Sequence, residues 1–528
     1  MNSAVGSLGR AAHSARLEGG LRSSSVRLFI GFALAFLLTG APILLHLVAQ
    51  PLAIAFCVCF AALVAAFFDE QAPTVLLVAY IFQSTFVALA SPYVQTAVQL
   101  VPMKSYDFIT TLGIWVVMMA RFTAQPRAVS PFVRRLVYGV SAILFIGGLF
   151  FVAGLRFNAR NSTIYMRNVG LPVILFQICL LAAARHAIAL RRIVTIILAM
   201  LIVCGYFELL DVGDWLALTN GWRYLDLSVA SQLTDPYWIS QMQQTGTVIT
   251  SPLDFLRVNF LNLTFFGNLG MQITRLQGPN FHPISFGYSL AAFMTFAALH
   301  RRILLSIAAF PLLLFASAKG ALVMLLVCLT FSFASAGRLR SLAAPALLLM
   351  LGLYAIFVFL TGRSAGDFHV LGLLGGLNGF VRQPWGHTLG QGGNLSTHFS
   401  KINWSKFQHA GAADTALESA IGVMLYQMGV AAIPVLLVYM WIARICWRLH
   451  RSLRSPALAM SASAIAVVLV NGIFQEEALF APLALGLVMA FAGLALGATD
   501  RLYGPQLATA RPPHFSSRPL SSQAESAS

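Results

Sequence analysis

Apolar runs long enough to cross a bilayer recur along this chain, and that recurrence limits its fold more than any other feature. A membrane-spanning helix needs about 20 mostly apolar residues, and about 14 such windows are found. In lipid each backbone N–H and C=O must be satisfied within its own segment, so runs of this length fold as helices. Of the 528 residues, 58% are apolar and only 10% charged, against about 25% charged in a soluble domain. The expected fold is an all-α polytopic membrane protein, a bundle of about 14 transmembrane helices.

Seven windows fall in residues 28–211, four in 284–361 and three in 418–497. The fourth, Phe108–Ala120, is short enough to be re-entrant. Two long connections remain, residues 212–283 and 362–417, and connections of that length are usually functional. The basic head (residues 1–27) and the Pro/Ser-rich tail (498–528) have the composition of disordered segments.

The chain carries 34 Lys+Arg against 17 Asp+Glu, a formal charge of +17. In a soluble protein that excess would suggest nucleic acid; here the cations lie between apolar runs, so the partner is the lipid bilayer and no nucleic acid is expected. Alternate threading from a cytoplasmic N-terminus places roughly 22 of the 34 cations on the inner side and about 12 of the 17 acids outside. The inner connectors then hold Arg121, Arg127, Arg185, Arg301, Arg302, Arg338, Arg340, Arg444 and Arg448, among others. Both termini become cytoplasmic, and both long connections lie on the outer face.

The six cysteines sit in or beside apolar runs with no C-x-x-C pair, which argues against a disulfide framework and a thiolate zinc site. The absence of H-E-x-x-H, of G-x-x-x-x-G-K-[ST] and of a nucleophile elbow in a suitable context argues against a zinc protease, an ATP motor and a serine hydrolase. No metal ligand set and no cofactor are expected, and any catalysis is acid–base and electrostatic.

Several charges fall on the outer side against the positive-inside tendency: Arg156, Arg160, Arg167, Arg275, Arg363, Arg382 and Lys319. A polyanion would account for them, since a diphosphate offers several acceptors for charge-assisted bonds; snorkelling or pairing with Asp367 and Asp414 is the plainer account. Lys319 stands between two apolar spans with almost no loop, and a charge so placed is a functional candidate by default. Glu418, beside Ser419 at a helix entrance, can act as a general base or simply complement the helix dipole. His409 is the competing base. In the first outer connection Trp215, Trp222, Tyr224, Tyr237 and Trp238 could stack on sugar rings, or form an ordinary interfacial aromatic belt.

Taken in order, Arg275-x-x-Gly278 with His282-Pro283 and Gly287, then Ser317-Ala318-Lys319-Gly320, then Gly362-Arg363, Pro384-x-Gly386-x-x-x-Gly390 and Asp414-x-x-x-Glu418-Ser419 ahead of Gly429 form a pattern. It resembles the O-antigen ligase and O-antigen or exopolysaccharide polymerase superfamily of bacterial membrane glycosyltransferases. Lys319 stands where that family usually has Arg, and Glu418 stands at the ligases' histidine, which looks more like the polymerase branch. The resemblance implies a GT-C-like bundle in the bacterial inner membrane with two large periplasmic loops. It also implies a metal-independent, inverting transfer from a polyprenyl-diphosphate-linked oligosaccharide, with chain-length regulators and export proteins as partners. On it, Glu418 is the base with His409 as its rival, and Arg275 and Lys319 stabilise the diphosphate. His282, Arg363, Asp414, Arg156, Arg160, Arg167, Trp222 and Tyr224 contact substrate. A ligase-type transferase to another acceptor and a lipid-linked-oligosaccharide flippase are the competing expectations.

Overall fold

The computed structural model describes residues 2–233, 252–337, 340–394 and 404–509. Among the described residues eleven helices are long and apolar enough to cross a membrane, and Pro283–Leu299, Ile303–Ala316 and Pro456–Asn471 are shorter apolar helices. The described strands are one short antiparallel ribbon, Arg257–Asn259 against Gln272–Thr274. The protein is therefore an all-α polytopic membrane protein.

Three spans form the interior: Asp69–Tyr93, Ala159–Arg185 and Pro482–Gly504 are 78%, 83% and 89% buried, whereas Ser341–Ala365, at 17%, faces outward. Apolar burial gives helices no advantage over lipid, so the order is set by how closely backbones can approach. Gly493 and Gly497 provide that approach in G-x-x-x-G spacing. A Cβ at either would stand 2.5 Å from a carbonyl of the Ala159–Arg185 helix, Phe176 O for Gly493 and Leu180 O for Gly497.

Two sequence expectations change. The fourth window lengthens to the 19-residue helix Tyr106–Ala124, part of the candidate span Ala97–Ala124. Thr111 Oγ1 donates to Asp107 O at 2.6 Å and meets Tyr80 OH of a neighbouring helix at 2.9 Å, so this polar position does not interrupt the helix. The head, expected to lack structure, is continuous with the first helix, Asn2–Val48. The last helix reaches Thr509, and the chain beyond it lies outside the described residues.

The two ends of the bundle differ. At one, Asp69 gathers Arg121 (3.6 Å), Arg185 (3.7 Å) and His186 (2.9 Å), in line with the Arg-rich short connectors there; Arg338 lies outside the described residues. The other end carries both long connections. The first begins with helices Val212–Leu218 and Gly221–Leu233 and ends in the ribbon; Tyr237 and Trp238 lie outside the described residues. The second opens with Phe368–Arg382, which packs against Ala420–Met428, and includes the short helix Trp404–Ala410.

Candidate functional site

The first connection returns to the bundle through Arg275–His282, a stretch tied to three neighbouring segments. Arg275 N–H donates to Leu256 O at 2.9 Å and Leu276 N–H to Phe315 O at 3.3 Å. The Arg275 Nε donates to Ala316 O at 3.1 Å. Gln277 and Gly278 N–H donate to the two carboxylate oxygens of buried Glu208 at 2.9 and 2.7 Å, which fixes the direction of the turn. His282 then caps the Pro283–Leu299 helix, its Nδ1 accepting Ser285 N–H at 3.3 Å, so the neutral ring carries its proton on Nε2.

Burial lowers the Arg275 pKa from its usual value while Glu477 opposes it, and a guanidinium so shifted is still charged at neutral pH. Burial also lowers His282; Glu477 opposes the shift, while Arg275 and Lys104 add to it, and the ring is neutral at pH 7. His282 keeps an exposed surface at this end of the bundle.

Lys319 opens the Lys319–Ala336 helix after Ser317, whose φ of +49° makes the break. A cation in the first turn is opposed by the helix dipole, so helix stability does not account for it. Its side chain is exposed, and the charge of Asp367 reaches it. Next to it, Asn471 Nδ2 donates to Gly320 O at 2.9 Å and to Tyr288 OH at 3.0 Å, and Tyr288 OH donates to Gln475 Oε1 at 3.3 Å. This network ties the start of the Lys319 helix to the segment that carries Glu476 and Glu477.

Glu418 stands one residue before Ser419, the cap of Ala420–Met428. Its φ is +57°, left-handed for a non-glycine residue. Glu418 N–H donates to Asn394 Oδ1 at 3.0 Å, its carbonyl lies 3.2 Å from His369 Nδ1, and its Oε2 lies 3.6 Å from that same nitrogen. Ser419 Oγ accepts Gly422 N–H at 3.0 Å and donates to Ile473 O at 2.7 Å, joining this helix start to the Glu476 segment. The other end of the same helix is fixed by the loop motif: Gly429 (φ +56°) lies so close to the Pro384–Gly386 turn that a Cβ would overlap Pro384 O.

Between these parts lies Gln475-Glu476-Glu477, which local sequence reading misses. Glu476 is buried, accepts Tyr165 OH at 2.7 Å and Asn394 N–H at 3.1 Å, and is pushed up to about 8, first by burial and then by Glu477 and Glu418. Glu477 acts electrostatically on Arg275 and His282. Segments far apart in sequence thus bring Arg275, His282, Lys319, Glu418, Glu476 and Glu477 to one end of the bundle. Two adjacent acids between apolar runs with almost no loop were the sequence signal for the last pair; His369 and Asn394 carry none.

Other expected site residues have plainer places. Tyr224 is buried, with the Lys104 ammonium 4.5 Å from its ring centroid and Phe281 at 5.0 Å, so it is packing and not a sugar platform. Trp222 remains exposed. Asp414 pairs with Lys406 at 3.5 Å, both largely in solvent, a contact of little strength. His409 is exposed on the short Trp404–Ala410 helix. Arg363 is exposed in the last turn of Arg340–Ala365, where a cation suits the helix dipole. Arg156 and Arg160 are exposed beside a helix junction, and half-buried Arg167 donates to Asn168 Oδ1 at 3.3 Å and acts on Asp107.

No family model, curated protein or solved structure matches the chain.

Proposed function

We propose that the protein is a membrane polysaccharide polymerase that transfers a growing glycan from a polyprenyl-diphosphate carrier to a hydroxyl of an incoming lipid-linked repeat unit. In this reading the three shorter apolar helices also span, giving 14 crossings of a bacterial inner membrane with cytoplasmic termini. The end with the long connections is then periplasmic. The observation that carries the proposal is that two cations and a carboxylate from three separate segments, Arg275, Lys319 and Glu418, lie at that same end, on segments tied together through Ala316, Asn471 and Ile473.

Glycosyl transfer to a hydroxyl needs a group to take the acceptor proton and positive charge to receive the departing diphosphate. Glu418 is the proposed base. As the acceptor oxygen attacks the anomeric carbon, its proton passes to the carboxylate, the C1–O bond breaks, and the electron pair leaves on the lipid diphosphate. Arg275 and Lys319 stabilise that charge without a metal ion, and neutral His282 offers its Nε2–H as a donor. One displacement inverts the anomeric centre. Trp222 offers an exposed aromatic face for the acceptor glycan.

The test is to incubate purified protein in detergent with a polyprenyl-diphosphate oligosaccharide in excess EDTA, following glycan length and released lipid diphosphate by mass spectrometry. Lengthened glycan on the carrier is the expected result. No reaction, with the same lipid crossing vesicles that contain the protein, would replace the proposal with a flippase.

A further inference from the structure

One buried carboxyl joins parts of the molecule that are remote in sequence. Glu476 Oε1 accepts from Tyr165 OH at 2.7 Å, and Tyr165 is fully buried in the interior helix Ala159–Arg185. Glu476 Oε2 accepts from Asn394 N–H at 3.1 Å, in the second long connection. The Asn394 side chain in turn accepts Glu418 N–H at 3.0 Å. Beside it Gly393, at φ +80°, donates its N–H to Ala416 O at 2.7 Å and lies so close to the Tyr165 hydroxyl that a Cβ would overlap it. A line of contacts therefore runs from the bundle interior through Glu476 and Asn394 to Glu418.

Glu418 needs such support. A non-glycine residue keeps a positive φ only where its surroundings over-determine it. Here those surroundings are the bonds that Glu418 makes through its N–H to Asn394 and through its carbonyl to His369.

We propose that Glu476 is a positioning residue for the base: through Asn394 it clamps the second long connection to the bundle interior and sets where the Glu418 carboxylate stands. The proposal deepens, and rests on, the reading of this end of the bundle as a transferase site. Burying a carboxyl is costly without a purpose, and the charges that reach Glu476, Glu477 on its own segment and Glu418 ahead of the next helix, share its sign. Burial raises its pKa to about 8, which favours the protonated form and limits the negative charge that the clamp adds where a diphosphate would bind.

The experiment uses the full-length protein in nanodiscs, with Asn394→Ala, Glu476→Ala and Glu476→Gln. Hydrogen exchange is followed by mass spectrometry over peptides that cover Gly393 and Leu417–Ser419, together with kcat and KM for a polyprenyl-diphosphate oligosaccharide. Both alanine variants are expected to exchange faster at Leu417–Ser419 and to lose about 10²-fold in kcat, the scale of a reacting group misplaced by about an ångström. KM for the donor should hold, because the diphosphate cations sit on other segments. Glu476→Gln keeps an oxygen for Asn394 N–H and should retain most of the protection and rate. Asn394→Ala leaves the buried carboxyl in place, so the idea stays testable where Glu476→Ala fails to fold. Unchanged exchange at Leu417–Ser419 in Asn394→Ala overturns the clamp whether or not the protein shows activity. Faster exchange with unchanged kcat overturns the positioning role. Faster exchange in a protein whose wild type transfers no glycan upholds the clamp and removes the polymerase reading.

Discussion

Glu418 combines a backbone conformation that L-residues avoid with a partly exposed carboxylate beside His369, and a strained residue of that kind costs about 1–3 kcal/mol. Strain kept beside these charged groups invites a test of the side chain. Glu418→Gln should lower the rate of diphosphate release by about 10²–10⁴-fold, the usual contribution of a general base, with an unchanged thermal unfolding midpoint in detergent. An active Glu418→Gln protein would pass the role to Glu477 or His409. Arg275→Glu should weaken donor binding, measured by titration with the lipid-linked oligosaccharide, and unchanged affinity would take Arg275 out of the diphosphate site. Glu476 makes a pH prediction of its own. Its folded pKa, raised from an ordinary 4.5 to about 8, means that the folded state holds a proton the unfolded state releases. Its contribution to stability is therefore fully present below pH 4.5 and is lost as pH rises through 8. The unfolding midpoint in detergent should fall between pH 5 and 9, and Glu476→Gln, which cannot ionise, should flatten that fall; an equal slope in both proteins would contradict a buried neutral acid.

Elements divide into those the sequence states locally and those it does not. The apolar windows give the helices, since length and hydropathy decide them in lipid. Lys319 is conspicuous because a charge between two apolar runs without a loop has few places to go. Glu476 and Glu477 meet the same criterion, yet beside a helix start they read as ordinary dipole electrostatics. Their meaning lies in partners 311 and 82 residues away, Tyr165 and Asn394, and no local pattern encodes contacts of that span. Tyr224 shows the converse, an aromatic in a polar stretch that suggests a ligand platform but packs on Phe281. The Gly493/Gly497 pair makes the element-scale prediction. Gly493→Leu would force the last helix away from Phe176 O and should destabilise by about 1–3 kcal/mol, the usual cost of overpacking. Thermal unfolding in detergent would show it as a lower midpoint; an unchanged midpoint would mean that the interior pair is looser than its contacts indicate.

At the scale of the whole molecule, the distribution of charge between the two ends implies a sidedness that can be measured. Single cysteines at Asp414 and at Arg448, in a background with all six native cysteines changed to Ser, should differ in reaction with a membrane-impermeant maleimide on intact spheroplasts. Asp414→Cys should label and Arg448→Cys should label only after permeabilisation; the reverse pattern would invert the topology and remove the periplasmic site. The shorter helices carry one more consequence. Pro283–Leu299 touches both Ile303–Ala316 and Pro456–Asn471, and the 14 residues of Ile303–Ala316 extend only about 21 Å at 1.5 Å per residue. A hydrocarbon layer is about 30 Å deep. Pro283–Leu299 and Pro456–Asn471 are largely buried in protein, so the mismatch falls on Ile303–Ala316: if it spans, the bilayer beside it thins or dips, at a cost of a fraction of a kcal/mol per ångström of mismatch. The fluid lipid around this flank then becomes part of the machinery. A polyprenyl headgroup would have a shorter climb to the Arg275, Lys319 and Glu418 groups there than elsewhere on the protein's perimeter, and turnover would depend on the acyl-chain length of the host membrane.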